Sequence, residues 1–276
     1  MNRMEHVIEH RGCRIAYDIV GTGPRVLFIQ GVGVHGAGWL PQTEALADRY
    51  ECLSFDNRGM GRSQPVGPAL TVEQMADDAR AVLDAAGWEK AHVVGHSLGG
   101  LVAVQLALAA RERVRSLALL CTFSGGRYVA PLTLRMIWLG LRTRVGTRRM
   151  RRRGFLRLLY PPAGLDVIDA DAKAEQLEAI FGHDLADQPL IVSDQLRAVR
   201  AADATPRLGE LAGLPSLVVS AAHDPIATPS AGRILTDGIP GSRYVEISDA
   251  SHGLPITHAD QVNALLHEHL ASIVTH

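Results

Sequence analysis

The stretch that decides the fold is VVGHSLGG, residues 93–100. Two valines close an apolar run, and the five residues from Gly95 to Gly99 then fit the pattern G-x-S-x-G around Ser97. An apolar segment rich in Ala, Val and Leu follows from Leu101. Strand, tight turn and helix are the surroundings in which this pattern exposes a nucleophilic serine. An ordinary serine in a glycine-rich turn is the alternative, and the flanking segments favour the nucleophile.

The same alternation of strand and helix extends outward from this motif. Glu5–Glu9 and Arg14–Ile19 predict a hairpin that turns at Arg11-Gly12. Further strands are predicted at Arg25–Ile29, Glu51–Phe55, Ala91–Val94, Val114–Cys121, Ser216–Ala221 and Arg243–Ile247. Helices are predicted between them, one starting at Thr71 with a capping box to Gln74 and the last one capped by Thr257 and Asp260. The pattern predicts an α/β fold with a mostly parallel sheet and helices on both faces.

Residues 125–205 interrupt this alternation and predict a helical cap inserted over the sheet. The expected organisation is a core of residues 1–124 and 206–276 with this cap between them. A solvated basic face is the favoured interpretation of its arginines. A dock for an acidic carrier or anionic acyl group, or for an anionic lipid surface, is the alternative. The arginines concerned are Arg142, Arg144, Arg148, Arg149, Arg151, Arg152, Arg153 and Arg157.

Composition excludes several classes of function. A chain of 276 residues with 47% hydrophobic residues can bury a sizeable core, and a net charge of -1 gives no overall attraction to nucleic acid or anionic membrane. No segment reaches transmembrane length and no signal peptide begins the chain, so we expect no stable membrane insertion and a cytoplasmic location. The cysteines Cys13, Cys52 and Cys121 lack framework spacing and are expected to be reduced. No metal-ligand spacing occurs.

A serine nucleophile needs a base, and the base needs an orienting acid. Among 12 histidines, His252 in DASHG follows a predicted strand and precedes the last helix. Asp224 in LVVSAAHDP lies just beyond another predicted strand, at the sheet edge where ligands bind in such folds. Asp249, three residues before His252, is the rival acid and is more typical of a turn. His96 is expected to point away from the nucleophile.

A competing interpretation comes from GVGVHG, residues 31–36, which matches the dinucleotide pattern G-x-G-x-x-G. Asp56 follows where a ribose-binding carboxylate would be expected. That motif needs its third glycine inside an opening helix, however, and here Gly38, Trp39 and Pro41 delay the helix. A dinucleotide site is therefore disfavoured.

The chain resembles the α/β-hydrolase family over essentially its whole length. The matching pieces are FIQGVGVHGAGW, SFDNRGMGRS, VVGHSLGG, PSLVVSAAHDP and SHG. The resemblance implies a triad of Ser97, Asp224 and His252, and an oxyanion hole formed by the amides of Val32 and Leu98. It implies a structural role for Asp56. One departure is Gln30-Gly31, where the family usually has His-Gly; we expect the hole to survive with altered loop hydrogen bonds.

The resemblance implies a cofactor-free serine esterase that acts on a small-molecule ester or lactone. Perhydrolases or haloperoxidases, carbon–carbon bond hydrolases and acyltransferases of this fold are alternatives, and a small-molecule receptor with a retained triad is the competing class. Nucleic-acid binding is disfavoured because no aromatic platform accompanies the arginines. The sequence carries no signal for an oligomeric state. Residues that could line the pocket, or equally belong to the core, are Trp39, Phe123, Trp138, Ile226 and Leu254.

Overall fold

One eight-stranded sheet organises the computed structural model, which describes residues 4–67, 70–129, 134–165 and 167–273. Its strand order is β1-β2-β4-β3-β5-β6-β7-β8. β1 and β2 form an antiparallel hairpin, β2 is antiparallel to β4, and the other neighbouring strands are parallel. The strands are β1 Met4–His10, β2 Cys13–Val20, β3 Arg25–Ile29, β4 Glu51–Phe55, β5 Ala91–His96, β6 Val114–Leu120, β7 Ser216–Ala221 and β8 Arg243–Ile247. The predicted α/β fold class is confirmed.

The hairpin turns where the sequence predicts it. Arg11 and Gly12 both have positive φ, at 46° and 73°, and His10 pairs with Cys13 across the two-residue loop. Two positive φ angles define the turn type whose twist matches that of paired strands. The hairpin therefore extends the sheet by two antiparallel strands at the β4 edge.

Helices cover both faces of the sheet and create two apolar clusters. The strands β5 and β7 are buried at every residue, as expected for parallel strands enclosed on both faces. One cluster lies under α2 and α3, and the other lies under α1 and α10. The helices of the core are α1 Leu40–Leu46, α2 Val72–Ala85, α3 Leu98–Ala109, α8 Pro229–Gly238, α9 Leu254–Thr257 and α10 Ala259–Ala271.

The two predicted helix caps have different outcomes. Thr71 Oγ1 accepts the amide of Gln74 at 3.1 Å, whereas the Gln74 side chain bonds to Asp78 instead of completing the box. The prediction that Thr257 caps the last helix is wrong, because Thr257 ends the short helix α9 and α10 begins at Ala259. His258 between them has a φ of -127°, so the backbone leaves the helical conformation there.

Among the described residues between β6 and β7, in the region predicted as a cap, there are four α-helices: α4 Leu134–Arg142, α5 Arg148–Leu159, α6 Ala170–Phe181 and α7 Val192–Ala201. α5 and α6 share an apolar cluster of their own, whereas α7 packs on the main cluster through Ala198 and Val199. The two ends of the region meet, since Gly125 forms a β-bridge with Asp203. We use "cap" below for residues 125–205.

Candidate active site

Ser97 occupies the sharp turn between β5 and α3. Its φ of 53° and ψ of -122° are strained for a residue with a side chain. The flanking glycines make this turn possible, because a Cβ on Gly95 would lie 2.3 Å from the carbonyl oxygen of Gly99. A Cβ on Gly99 would lie 2.0 Å from the carbonyl oxygen of Ile29. The strand, the turn and the helix therefore approach more closely than any larger residue allows.

Hydrogen bonds from the end of β6 and from the segment just after it hold the turn in place. The Ser97 amide donates to the carbonyl of Leu120 at 3.1 Å, and the hydroxyl of Thr122 donates to the carbonyl of Ser97 at 2.6 Å. Ser97 is 5% exposed. Thr122 was not among the predicted site residues, and its position after β6 gives no motif that would reveal it.

The structure brings Ser97, His252 and Asp224 into one hydrogen-bonded chain. The Ser97 hydroxyl lies 3.1 Å from His252 Nε2, and His252 Nδ1 lies 2.7 Å from Asp224 Oδ2. Asp224 Oδ1 accepts the amides of Ile226 and Ala227, at 2.8 and 2.9 Å. An acceptor at Nδ1 fixes the proton there, so Nε2 carries the lone pair that faces the serine.

The rival acid lies elsewhere. Asp249 has a side chain that is 79% exposed, and its Oδ1 lies 3.5 Å from His258 Nε2. Asp224 is 4% exposed and directly contacts His252. The structure therefore places Asp224, and not Asp249, in position to orient the histidine.

His96 lies under the histidine of the triad. Its Nε2 donates to the carbonyl of His252 at 2.9 Å, and the two ring centroids are 4.9 Å apart. Burial, and then the charge of His252, lowers the pKa of His96 to about 3, so the ring is neutral at pH 7. His96 thus supports His252 from behind, and its hydrogen bond goes to the His252 backbone and not to the Ser97 hydroxyl.

Cys121 is, after Ser97, the second residue near the triad with a strained backbone. It has a φ of 44° at the end of β6 and is fully buried beside the carboxylate of Asp224. Burial, and then the negative charge of Asp224, raises the pKa of the Cys121 thiol well above its usual range. All three cysteines are free and buried, as predicted.

The loop after β3 passes directly over Ser97. A Cβ on Gly31 would lie 3.1 Å from Cβ of Ser97. Within the part of the chain that the structure describes, the amides of Val32 and Leu98 have no hydrogen-bond acceptor. Unpaired backbone amides close to a nucleophilic serine are the kind of donor that an oxyanion needs, so these two amides are candidates for that role. Residues 30–36 are called the oxyanion loop below.

Gln30 is part of the support of this loop. Its side chain is 2% exposed, and Oε1 accepts the amide of Gly31 at 2.9 Å. Asn57 Nδ2 donates to the carbonyl of Gln30 at 2.9 Å. Gly38 leaves the space that the amide occupies, because a Cβ there would lie 2.3 Å from Gln30 Nε2. The departure from the family's His-Gly therefore supplies the loop with its own hydrogen bond.

Asp56 is fully engaged in the fold. Its Oδ1 accepts the amide of Gly36 at 2.8 Å, and its Oδ2 accepts the amide of Arg62 at 3.0 Å. Gly36 begins a 3-10 turn and not the first turn of a long helix. The carboxylate thus ties the end of the oxyanion loop to the turn after β4, and the geometry of a dinucleotide site is not present.

The predicted pocket residues fall into different environments. Trp39 and Leu254 are 0% exposed and belong to the cluster under α1 and α10, which is the core environment that the sequence left open for them. Phe123 is 2% exposed in the main cluster, and Ile226 is half-buried beside Asp224. Trp138 on α4 is 46% exposed, with the guanidinium groups of Arg142 and Arg157 against its ring.

Within the described part of the cap, four arginines of α5 form ion pairs with three aspartates. Arg148 and Arg152 both bind the carboxylate of Asp184, which is 4% exposed. These arginines, Arg152 first, hold the pKa of the Asp184 carboxyl well below its usual range. Further pairs join Arg152 and Arg149 to Asp171, and Arg148 and Arg151 to Asp187. These arginines therefore link α5 to α6 and to the segment after α6. The sequence favoured a solvated basic face, whereas these side chains are also paired with carboxylates.

Comparison with known proteins gives the family. A family model described as alpha/beta hydrolase fold matches residues 24–259. The chain is 34% identical to a protein of Azorhizobium caulinodans named carbamate hydrolase RutD, an activity that the name itself gives as provisional; 91% of this chain and 92% of the relative are covered. This chain belongs to the α/β-hydrolase family, and its relatives support hydrolase activity.

Solved structures agree with this assignment. The enol-lactonase of Burkholderia xenovorans LB400 matches with a TM-score of 0.81 and 26% identity, covering 96% of this chain and 100% of that one. BpoC of Mycobacterium tuberculosis H37Rv, provisionally titled a non-heme bromoperoxidase, matches with a TM-score of 0.81 and 27% identity, covering 95% and 97%.

Two further findings concern the described ranges only. No helix there is long and apolar enough to cross a membrane. No group of three or more His, Cys, Asp or Glu side chains there is arranged to hold a metal ion.

Proposed function

We propose that this chain is a serine hydrolase that needs no cofactor and cleaves a carboxylic ester or lactone through an acyl-enzyme on Ser97. The observation that carries the proposal is the continuous chain from Ser97 Oγ through His252 to Asp224, with contacts of 3.1 and 2.7 Å. Nucleophile, base and orienting acid then stand in the relation that acyl transfer requires.

In the acylation step, His252 Nε2 takes the hydroxyl proton as Ser97 Oγ attacks the substrate carbonyl. The carbonyl oxygen becomes an oxyanion, which the free amides of Val32 and Leu98 stabilise. The proton on Nε2 then passes to the departing alcohol oxygen, and the carbon–oxygen bond breaks. Asp224 stabilises the imidazolium and keeps its Nδ1 proton in place.

In the deacylation step, a water molecule takes the position of the alcohol. His252 Nε2 removes its proton, the resulting hydroxide attacks the acyl carbon, and the same two amides stabilise the second oxyanion. Collapse of this intermediate returns the proton to Ser97 Oγ and releases the carboxylic acid. For a lactone, the alcohol and the acid are parts of one product.

A carbamate is the second candidate substrate. It is favoured by the 34% identity over 91% of the chain to the carbamate hydrolase of Azorhizobium caulinodans. A carbamate carbonyl forms the same oxyanion on attack by Ser97, so the site needs no further group. Perhydrolysis is an alternative for this fold, and the likeness to BpoC, provisionally named a non-heme bromoperoxidase, keeps it in view. In that reaction hydrogen peroxide, in place of water, attacks the acyl carbon, Ser97 Oγ leaves and takes back its proton, and a peroxy acid is released.

A substrate panel tests the proposal. Purified wild type and Ser97→Ala are assayed on p-nitrophenyl esters of increasing acyl length, on lactones and on carbamates, with Ser193→Ala as the control. Ser193 is exposed on α7, so its loss is expected to leave turnover unchanged. We expect Ser97→Ala to lose several orders of magnitude in kcat. Wild-type inactivity on the whole panel, as expected for a receptor, or an active Ser97→Ala would overturn the proposal.

A further inference from the structure

The tip of the oxyanion loop is held by the cap and not by the core. The Gly33 amide donates to Gln195 Oε1 at 2.8 Å, and the Gly33 carbonyl lies 2.9 Å from His183 Nε2. Gly33 has a φ of +70°, and a Cβ there would lie 3.0 Å from Cγ2 of Val192. Both polar groups of one glycine therefore meet cap side chains, and a third cap residue packs against it.

Gln195 is committed to this contact. It lies on α7 and is 0% exposed. Its Oε1 faces Gly33, while its Nε2 is buried without a hydrogen-bond partner among the described residues. A buried unpaired donor costs about 1–3 kcal/mol. The side-chain amide of Gln195 keeps this orientation because the backbone N–H of Gly33 needs an acceptor. The contact with the oxyanion loop is therefore the main polar interaction of Gln195.

His183 approaches the loop from the segment after α6. Its Nε2 faces the carbonyl of Gly33 at 2.9 Å, and its Nδ1 faces the carbonyl of Asp184 at 2.8 Å. Carbonyl oxygens only accept, so a proton on Nε2 makes the bond to Gly33. The side chain of Asp184 is itself held by Arg148 and Arg152. A chain of contacts thus leads from the cap arginines to the oxyanion loop.

The Val32 amide lies between two peptides that glutamines hold. On one side Gln30 Oε1 accepts the Gly31 amide at 2.9 Å, and on the other Gln195 Oε1 accepts the Gly33 amide at 2.8 Å. The peptide between them carries the Val32 amide, which has no acceptor among the described residues. Fixing the peptide planes before and after it leaves the free amide little rotational freedom.

We infer that Gln195 and His183 are positioning residues that aim the Val32 amide at the oxyanion, so that the cap completes the oxyanion hole. This inference rests on the proposed function, because it gives the amide its catalytic purpose. The cap then acts on the chemical step as well as covering the site. Replacing Gln195, the side chain that α7 contributes, is expected to lower kcat even for a substrate too small to touch the cap.

The test compares Gln195→Met with Gln188→Met. Methionine keeps the length of the side chain and removes the acceptor. Gln188 is the matched control, because its Oε1 would lie only 3.8 Å from a Cβ on Gly33, yet its hydrogen bond goes to Leu185 inside the cap. For p-nitrophenyl acetate we expect Gln195→Met to lower kcat by about 10- to 100-fold, less than the loss of a whole oxyanion donor. KM is expected to change little.

Two further measurements separate positioning from a general structural effect. A boronic acid that forms a tetrahedral adduct on Ser97 is expected to lose affinity in parallel with kcat. Hydrogen exchange of residues 30–36 is expected to be faster in Gln195→Met than in Gln188→Met. His183→Phe, which keeps a ring but removes both nitrogens, serves as the second variant and is expected to show the same signs if Gln195→Met folds poorly.

The outcomes keep the inference apart from the proposed function. If Gln195→Met and His183→Phe both show the same kcat and the same exchange rate as Gln188→Met, the inference is overturned. The hydrolase proposal would then remain intact. If wild type turns over no substrate of the panel, the proposed function fails, and exchange alone then decides whether the cap holds the loop. Faster exchange in Gln195→Met supports that contact, and an unchanged rate contradicts it.

Discussion

The two halves of the candidate site are held in different ways. On the nucleophile side, the turn at Ser97 is fixed by glycine contacts and backbone hydrogen bonds within β5, β6 and α3. On the oxyanion side, side chains of both regions hold the loop: Gln30, Asn57 and Asp56 from the core hold its two ends, and Gln195 and His183 from the cap hold its tip. The nucleophile is thus a property of the sheet, whereas the loop opposite it depends on an insertion. Substitutions in the cap can therefore change the position of the oxyanion loop without disturbing the turn at Ser97.

The largest effect is expected at the acid of the triad. Asp224→Asn should lower kcat by about 10⁴-fold, because the amide stabilises neither the imidazolium nor the correct tautomer of His252. Asp249→Asn is the matched control, since Asp249 is exposed and paired with His258. Both variants are compared by kcat on one ester and by thermal unfolding. A damaging Asp249→Asn beside a harmless Asp224→Asn would reverse the assignment of the acid.

The next largest effect is on folding, and it disturbs only the nucleophile side of the site. Gly99→Ala would place a Cβ 2.0 Å from the backbone oxygen of Ile29, so β3 or α3 must move. We expect a strong fall in Tm, or no folded protein, because neither element is a flexible side chain that can yield. Circular dichroism and thermal unfolding measure it. A Tm within a degree of wild type would show that the elbow is looser than its contacts indicate.

A smaller and pH-dependent effect is expected in the cap. The folded pKa of Asp184 is lowered, so its ion pairs stabilise the protein above the ordinary carboxyl pKa of about 3.8 and lose this effect as the pH falls further. Asp184→Asn should lower Tm by a few degrees at pH 7, and the difference from wild type should shrink towards pH 3. Asp187→Asn, at a 52% exposed site, is the control and should change Tm less. A difference that grows as the pH falls would contradict this.

The smallest effect is expected at a glycine of the cap. Gly140 lies inside α4 with no atom within 4 Å of an added Cβ. Gly140→Ala should therefore stabilise α4 by up to about 1 kcal/mol, from helix propensity alone, with kcat unchanged. The contrast with Gly99→Ala gives opposite signs for the same substitution in the two regions. A loss of stability would mean that α4 packs against more than the described contacts.

The sequence predicts the core half of the site better than the cap half. The strands are apolar runs bounded by turns, and Ser97, Asp224 and His252 each stand at a strand end, so local patterns are sufficient. Gln195 and His183 contact Gly33 across 162 and 150 residues of sequence, and no local pattern indicates such a contact. Trp39 and Leu254 show the other difficulty, because an apolar residue beside a motif has the same sequence signal in a core as in a pocket.

The meeting of the two cap ends has a consequence for how this molecule can be altered. Gly125 and Asp203 pair directly, and the carbonyls of Ser124 and Ala202 accept the amides of Ala204 and Gly126. An inserted segment whose entry and exit coincide can be exchanged for another of different length without stretching the scaffold, because loop closure depends only weakly on length. Exchange at this junction would move the whole cap as one module. The oxyanion loop would keep its position only if the incoming segment brings an acceptor for the Gly33 amide. Recombination at this point therefore favours source proteins whose inserted segment already carries such an acceptor.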